Sequence, residues 1–302
     1  MKKLSELSLH AQNEYMLELF SMYLNFTPDY VDEELIKSVT NGEKSMNEYA
    51  YAGIMAAVCG LDVYENADDN KFFKNYFVPA VKFLDLNEYK NDPYYSNIDF
   101  PIKKCGKWEL SYSSYKPFEA FVYDDMCENE NGRLLVKIGF FDGEFKFPVV
   151  KENGREWMSV TPNEINTMKD AIAKSEGNVL TFGLGLGYFA YMAASKKEVK
   201  QVTVVERDKE IIELFKNELL PLMDCRDKIN IVNCDAFEFI EKFENAEKEG
   251  KTDAYDVVFA DIWHDAADGT ELYLKMKKYE KKFSCKHFLY WIEPTLKIYS
   301  GT

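Results

Sequence analysis

Apolar residues recur at two different periods along this chain, and the change of period divides it. Between residues 10 and 25, Tyr15, Leu19, Met22 and Tyr23, followed by Phe26, fall at steps of three and four, the spacing of one helix face. Thr27, Pro28 and Asp29 break that run. A second, short helix is predicted over 31–39. Ser45 with Glu48 has the pattern of a capping box that opens a third, and Gly60 is its stop. A fourth helix over 69–86 contains Pro79, so it is either kinked or two pieces. Tyr49, Phe72, Phe73, Tyr76 and Phe77 keep helical spacing, which reads as core or interface.

From residue 105 the texture changes. Residues 108–123 alternate in places and are rich in Tyr, Phe and Ser. A turn is predicted over 128–132, then an apolar β-prone run over 133–141. Asp142 and Gly143 give a hairpin signal into a further strand over 144–150, and Asn153 with Gly154 marks another turn. These strands predict a small antiparallel β unit. From Thr161 the pattern becomes α/β. Thr161 and Glu164 flank Pro162 and Asn163 as a capping box with proline at the first helical position. Strand runs at 179–182, 202–206, 229–232, 255–260 and 287–292 then alternate with helical patterns. Such alternation implies a mainly parallel sheet with right-handed crossovers and helices on both faces. Three regions follow: a helical N-terminal region over 1–104, the β unit over 105–158, and a Rossmann-like domain over 159–302. Little chain follows the fifth strand run, so the sheet is expected to be truncated there or completed from elsewhere.

Composition narrows the function classes. Of 302 residues, 46% are hydrophobic and 29% charged, which excludes a disordered chain. The net charge of −15 argues against nucleic acid as a partner, because phosphate backbones would be repelled at long range. No apolar run reaches the ~18 residues of a membrane span. The polar start of the chain lacks an apolar signal segment, and its six cysteines contain no CxxC pair. The expectation is a cytoplasmic protein with reduced thiols, no metal site and no membrane partner. Lys275, Lys277, Lys278, Lys281 and Lys282 make one basic helix face, read as solvated.

The most informative segment joins the first predicted parallel strand to a helix through Gly183, Leu184, Gly185, Leu186, Gly187 and Tyr188. Glycine lets a backbone turn tightly and lets a ligand approach main-chain atoms. The dinucleotide fingerprint GxGxxG would need glycine at Tyr188, so it fails. Acids then end later strands: Glu206, Asp235 and Asp261. Ligands of open α/β sheets bind at those strand ends, and an acid there can accept hydrogen bonds from ribose hydroxyls. Asp235 with Glu238 also reads as a capping box.

The GxGxG spacing resembles motif I of class I S-adenosylmethionine-dependent methyltransferases. Residues 200–275 resemble the spermidine synthase branch of that superfamily: Val202 to Ile212 looks like its second strand and helix, Cys234 to Ile240 like its third, and the run from Asp261 to Tyr273 has the length of its following loop. The resemblance implies cofactor contacts at Gly183, Leu184, Gly185, Gly187, Glu206, Arg207, Asp235, Ala236 and Asp261. It departs at Leu186, where the branch carries an acid, and at His264, where it carries a catalytic Asp; its Asp-Pro pair is also absent. These departures lead to the expectation of a methyltransferase using S-adenosylmethionine on a small-molecule acceptor, with Asp261 and His264 catalytic. The alternatives are an aminopropyltransferase or a non-catalytic nucleotide-binding regulatory protein. The distinct residues 1–100 are expected to cap the active site or to form a homo-oligomer interface. Residues 157–162, from Trp157 to Pro162, are expected to line the substrate pocket.

Overall fold

A computed structural model describes residues 4–39, 46–248 and 255–301. In chain order the principal elements are α1 (Leu9–Phe26), α2 (Glu33–Val39), α3 (Glu48–Val58), α4 (Ala67–Ala80), β1 (Val81–Phe83), α5 (Leu86–Lys90) and α6 (Pro93–Asn97). Then come β2 (Lys103–Cys105), β3 (Trp108–Tyr115), β4 (Phe121–Glu128), β5 (Leu134–Phe140), β6 (Phe145–Glu152), β7 (Arg155–Ser159), α7 (Pro162–Lys174), β8 (Gly177–Phe182) and α8 (Tyr188–Ala194). The chain ends with β9 (Val199–Glu206), α9 (Lys209–Leu214), β10 (Ile229–Asn233), α10 (Ala236–Lys248), β11 (Val257–Ala260), α11 (Ala266–Glu280), β12 (His287–Tyr290) and α12 (Glu293–Ser300).

These elements form two compact units. One comprises residues 1–90 and 114–146, the other residues 91–113 and 147–302. The sequence boundaries at 104 and 158 followed changes of texture, whereas each unit is assembled from two separate stretches of chain.

In the first unit, α1 buries Met16, Leu19, Phe20 and Tyr23, while Met22 and Phe26 of the predicted face are exposed. Asn13 is a buried polar residue with its hydrogen bonds satisfied. Its amide donates to the Gly132 carbonyl, and its Oδ1 accepts from Leu134 N–H and the Tyr76 hydroxyl. The third helix is capped by Asn47, whose side chain accepts from Ala50 N–H; Ser45 lies outside the described residues. The predicted fourth helix stops at Ala80, one residue after Pro79, and the chain enters β1. That strand pairs in parallel with β5, which pairs antiparallel with β4.

The hairpin expected at Asp142 and Gly143 does not form. Strands β5 and β6 belong to different sheets, β1-β5-β4 and β2-β3-β6-β7. The carbonyl of Phe141 accepts from Phe118 N–H, and the Phe141 ring is fully buried. Burial of that aromatic outweighs the local turn signal. The turn at Asn153 and Gly154 does join a paired hairpin, β6 to β7, and both residues have positive φ.

The second unit carries the five-stranded sheet, order β10-β9-β8-β11-β12, with every pair parallel. All five strand runs read from the sequence are present. Val179, Leu180, Val202, Val204, Val257 and Val258 have no accessible surface, as expected of strands covered on both faces. The fold is the Rossmann-like α/β arrangement expected of class I methyltransferases. Among the described residues no helix is long and apolar enough to cross a membrane, and no group of His, Cys, Asp or Glu side chains could hold a metal ion.

Candidate active site

The carboxyl ends of β8, β9 and β11 meet in the second unit, and the glycine loop is shaped by that meeting. Gly183 N–H donates to the Val205 carbonyl, and Asp261 N–H to the Phe182 carbonyl. Gly183 has φ +98°, and a Cβ there would lie 1.9 Å from the Asp261 carbonyl oxygen. No side chain fits between those two strand ends. Gly185 has φ +50°, and a Cβ on it would lie 2.0 Å from Met158 Sδ. Tyr94 braces the loop from α6: its hydroxyl donates to the Leu186 carbonyl at 2.8 Å, and its ring is buried. Glu206, at the end of β9, accepts from Leu184 N–H at 3.2 Å and from Asp208 N–H at 2.8 Å. This acid and the glycine loop are therefore one hydrogen-bonded piece.

A cleft beside the loop is lined by Gly183, Leu184, Leu186, Asp261, Glu164 and Met158, among others. Its free volume is about 20 Å³, room for roughly one water. Two carboxyl groups define its electrostatics, and none of its lining residues is basic. Burial pushes the Asp261 carboxyl up to about 8, helped by the neighbouring charge of Glu206. Burial likewise raises Glu164 well above the carboxylate range, with the Asp261 charge adding to it. Glu164 Oε2 has no accessible surface and no hydrogen-bond partner.

Glu164 is the cleft-lining acid that sequence reasoning missed. Its spacing from Thr161 fits a capping box, yet Thr161 makes no side-chain cap bond. The acid turns into the cleft instead. Beyond it, Tyr188 donates its hydroxyl to Asp92 at 3.0 Å, and burial raises both groups. From the stretch 157–162, Met158, Ser159 and Val160 line the cleft, while Trp157 is exposed.

The remaining sequence candidates lie apart from this cleft. Gly187 caps α8 and packs against the Phe215 ring. Arg207 is exposed. Asp235 is exposed and accepts from Phe237 and Glu238 N–H as the first residues of α10 begin, with Ala236 buried behind it. His264 is exposed; its ring lies 5.8 Å from that of Trp157, and its Nδ1 is 3.6 Å from Asp265. The imidazole is not among the groups lining the cleft.

The sequence from 126 to 284 matches the spermine/spermidine synthase domain. The chain belongs to the spermine/spermidine synthase family. That stretch runs from β4 to the end of α11 and contains the glycine loop, both cleft acids and Glu206. A polyamine aminopropyltransferase of Oceanobacillus iheyensis is 30% identical over 129 residues, which cover 41% of this chain and 22% of that protein. The matched part is thus about a fifth of the relative's length. Two solved structures show partial similarity. One is a Klebsiella pneumoniae protein described as an O-methyltransferase, at 17% identity over 39% of this chain and 48% of the other, with TM-score 0.29. The other is a spermidine synthase in complex with the transition state analogue AdoDATO, at 18% identity over 39% and 44%, with TM-score 0.28. Membership of the synthase family sets a context for Leu186 and His264, which stand where the family resemblance leads one to expect acids.

Proposed function

We propose that this chain is a group-transfer enzyme that moves an aminopropyl group from decarboxylated S-adenosylmethionine to an amine acceptor. The carrying observation is the pair of half-buried carboxyl groups, Asp261 and Glu164, in a cleft lined by no basic residue. A cationic ligand gains from such a site by displacing the proton and pairing with the carboxylate it leaves, whereas no basic side chain lines the cleft to hold the carboxylate of S-adenosylmethionine itself. Family membership and the name of the Oceanobacillus relative support the same reading.

The residues present fit an S-adenosyl ligand. Gly183 and Gly185 leave main-chain atoms approachable, Glu206 offers a carboxylate at the end of β9 for ribose hydroxyls, and Glu164 Oε2 is unpaired. Met158 lies over Gly185 and must swing aside to admit a nucleoside. When bound, the sulfonium supplies an electrophilic carbon: a C–N bond forms as the C–S bond breaks, and the electron pair leaves with sulfur. Asp261 and Glu164 attract and orient the ammonium groups of the substrates. An acceptor amine must shed a proton, and a carboxyl held near 8 is matched to receive it under mildly basic conditions. The cleft wall of Met158, Val160 and Leu186 excludes water from the displacement.

A methyltransferase reading rests on Leu186 and His264 standing at expected acid positions. One comparison separates the two. Purified protein is incubated with S-adenosylmethionine or its decarboxylated form, against putrescine and spermidine, and the products are identified by mass spectrometry. Aminopropylated amine from the decarboxylated donor supports the proposal. Methylated product from S-adenosylmethionine alone would replace it with methyl transfer.

A further inference from the structure

Both cleft acids are tied to one residue on the far edge of the sheet. Trp291 follows β12, and its N–H donates to the Ala260 carbonyl at 3.0 Å, immediately before Asp261. Its indole Nε1 donates to Thr167 Oγ1 at 2.9 Å. The Thr167 hydroxyl in turn donates to the Asn163 carbonyl at 2.7 Å, within the turn of α7 that carries Glu164. The Trp291 ring is buried.

The conformation that aims the indole at α7 is maintained against a cost. Ile292, next in the chain, sits at φ 47° and ψ 34°, a left-handed backbone rarely adopted by a β-branched residue. Such a conformation persists only where its surroundings over-determine it. Here α12 starts at once and is anchored to α11: Tyr273 donates its hydroxyl to Glu293 at 2.9 Å, and Leu296 is fully buried.

We propose that Trp291 is a positioning residue for the acid pair, its main chain fixing the strand end at Asp261 and its indole fixing the helical turn that presents Glu164. The inference deepens the proposed function by naming what holds that site, and it rests on the cleft being the cation site. Without the indole bond α7 can shift, Glu164 can leave the cleft, and water can reach Asp261. The Asp261 carboxyl then returns toward the ordinary carboxylate range.

The test follows the side-chain carboxyl carbon of Asp261 by NMR as pH is varied, in the full chain without ligand. The variants are Trp291→Phe, Thr167→Val, the double substitution, and Thr167→Ser, which keeps the hydroxyl. The expected result is a midpoint lowered by about one pH unit in each of the first two. The double variant should go no further, since both break one bond, and Thr167→Ser should titrate as the parent does. If Trp291→Phe is too unstable to titrate, Thr167→Val against Thr167→Ser carries the comparison. Unchanged midpoints, or fully additive shifts, would reduce Trp291 to core packing and overturn the proposal. Calorimetry with spermidine on the parent protein is run in parallel. If the midpoints move as expected while spermidine fails to bind, the positioning role stands and the proposed function falls.

Discussion

Replacing Asp261 by Asn should make the protein more stable, by an amount that grows with pH. In the folded chain burial and the Glu206 charge push this carboxyl up to about 8, against 3.8 for an ordinary aspartate. Between those values the folded protein keeps a proton that the unfolded chain has released. Stability from this group is therefore present at low pH and is lost as pH rises through the window. Each pH unit within it is worth about 1.4 kcal/mol. The loss reaches roughly 3 kcal/mol near pH 6 and has a ceiling of about 6 kcal/mol above pH 8, relaxation and water entry drawing the true value below it. Asparagine keeps the shape of the side chain and never ionises, so it escapes the loss.

The assay is urea denaturation of parent and Asp261→Asn protein at intervals from about pH 4.5 to about pH 9, read as the difference in unfolding free energy. A constant offset at low pH reports the exchange of a carboxyl for an amide and is of no consequence. The reasoning requires the difference to widen as pH rises. A flat difference across the range would mean that Asp261 is ionised and solvated in the folded protein. The cleft would then be wetter than its lining implies, and its carboxylate would hold a cation only as weakly as a solvated ion pair does. A bound amine should narrow the gap in the parent, since a paired cation restores a charged Asp261 at lower cost.

Other consequences are accessible to simple variants. Met158→Ala should raise affinity for S-adenosyl ligands several-fold by clearing the approach to Gly185, whereas Gly185→Val should abolish that binding, both read by calorimetry. Tyr94→Phe leaves the Leu186 carbonyl without its donor and should cost about 1–3 kcal/mol in urea denaturation, with ligand affinity falling alongside. His264→Ala, at an exposed position outside the cleft, should keep turnover within about twofold of the parent; a loss near 10²-fold would transfer the proton-accepting role from Asp261 to His264.

The parallel sheet was legible because its strands are short apolar runs ending at glycine or an acid, a signal written within a few adjacent residues. Two kinds of feature were not. The first depends on which strands meet. Strand β1 is three residues long and follows a proline-containing helix, so only its pairing with β5 makes it a strand. The pair Asp142 and Gly143 looks like a hairpin locally, and only burial of Phe141 sends β5 and β6 into separate sheets. The second kind depends on which side chains share a cleft. Glu164 fitted a capping box by spacing, and nothing near it in the chain announced Asp261.

That second failure bears on how the departures from the family should be read. Counted along the sequence, the chain lacks acids at Leu186 and at His264, which suggested a weakened site for cations and hence methyl transfer. Electrostatic attraction does not depend on which element supplies the charge. It depends on how many carboxyl groups reach the cleft and on how little water surrounds them. Here Asp261 enters from the end of β11 and Glu164 from the first turn of α7, with Asp92 and Tyr188 hydrogen-bonded to one another at the start of α6 and α8. The loop that carries Leu186 thus still borders a cleft lined by two carboxyl groups. On the proposed function, Leu186 changes the direction from which a cation would be held, and with it the acceptor the cleft can fit, while Asp261 and Glu164 remain available to pair with an amine.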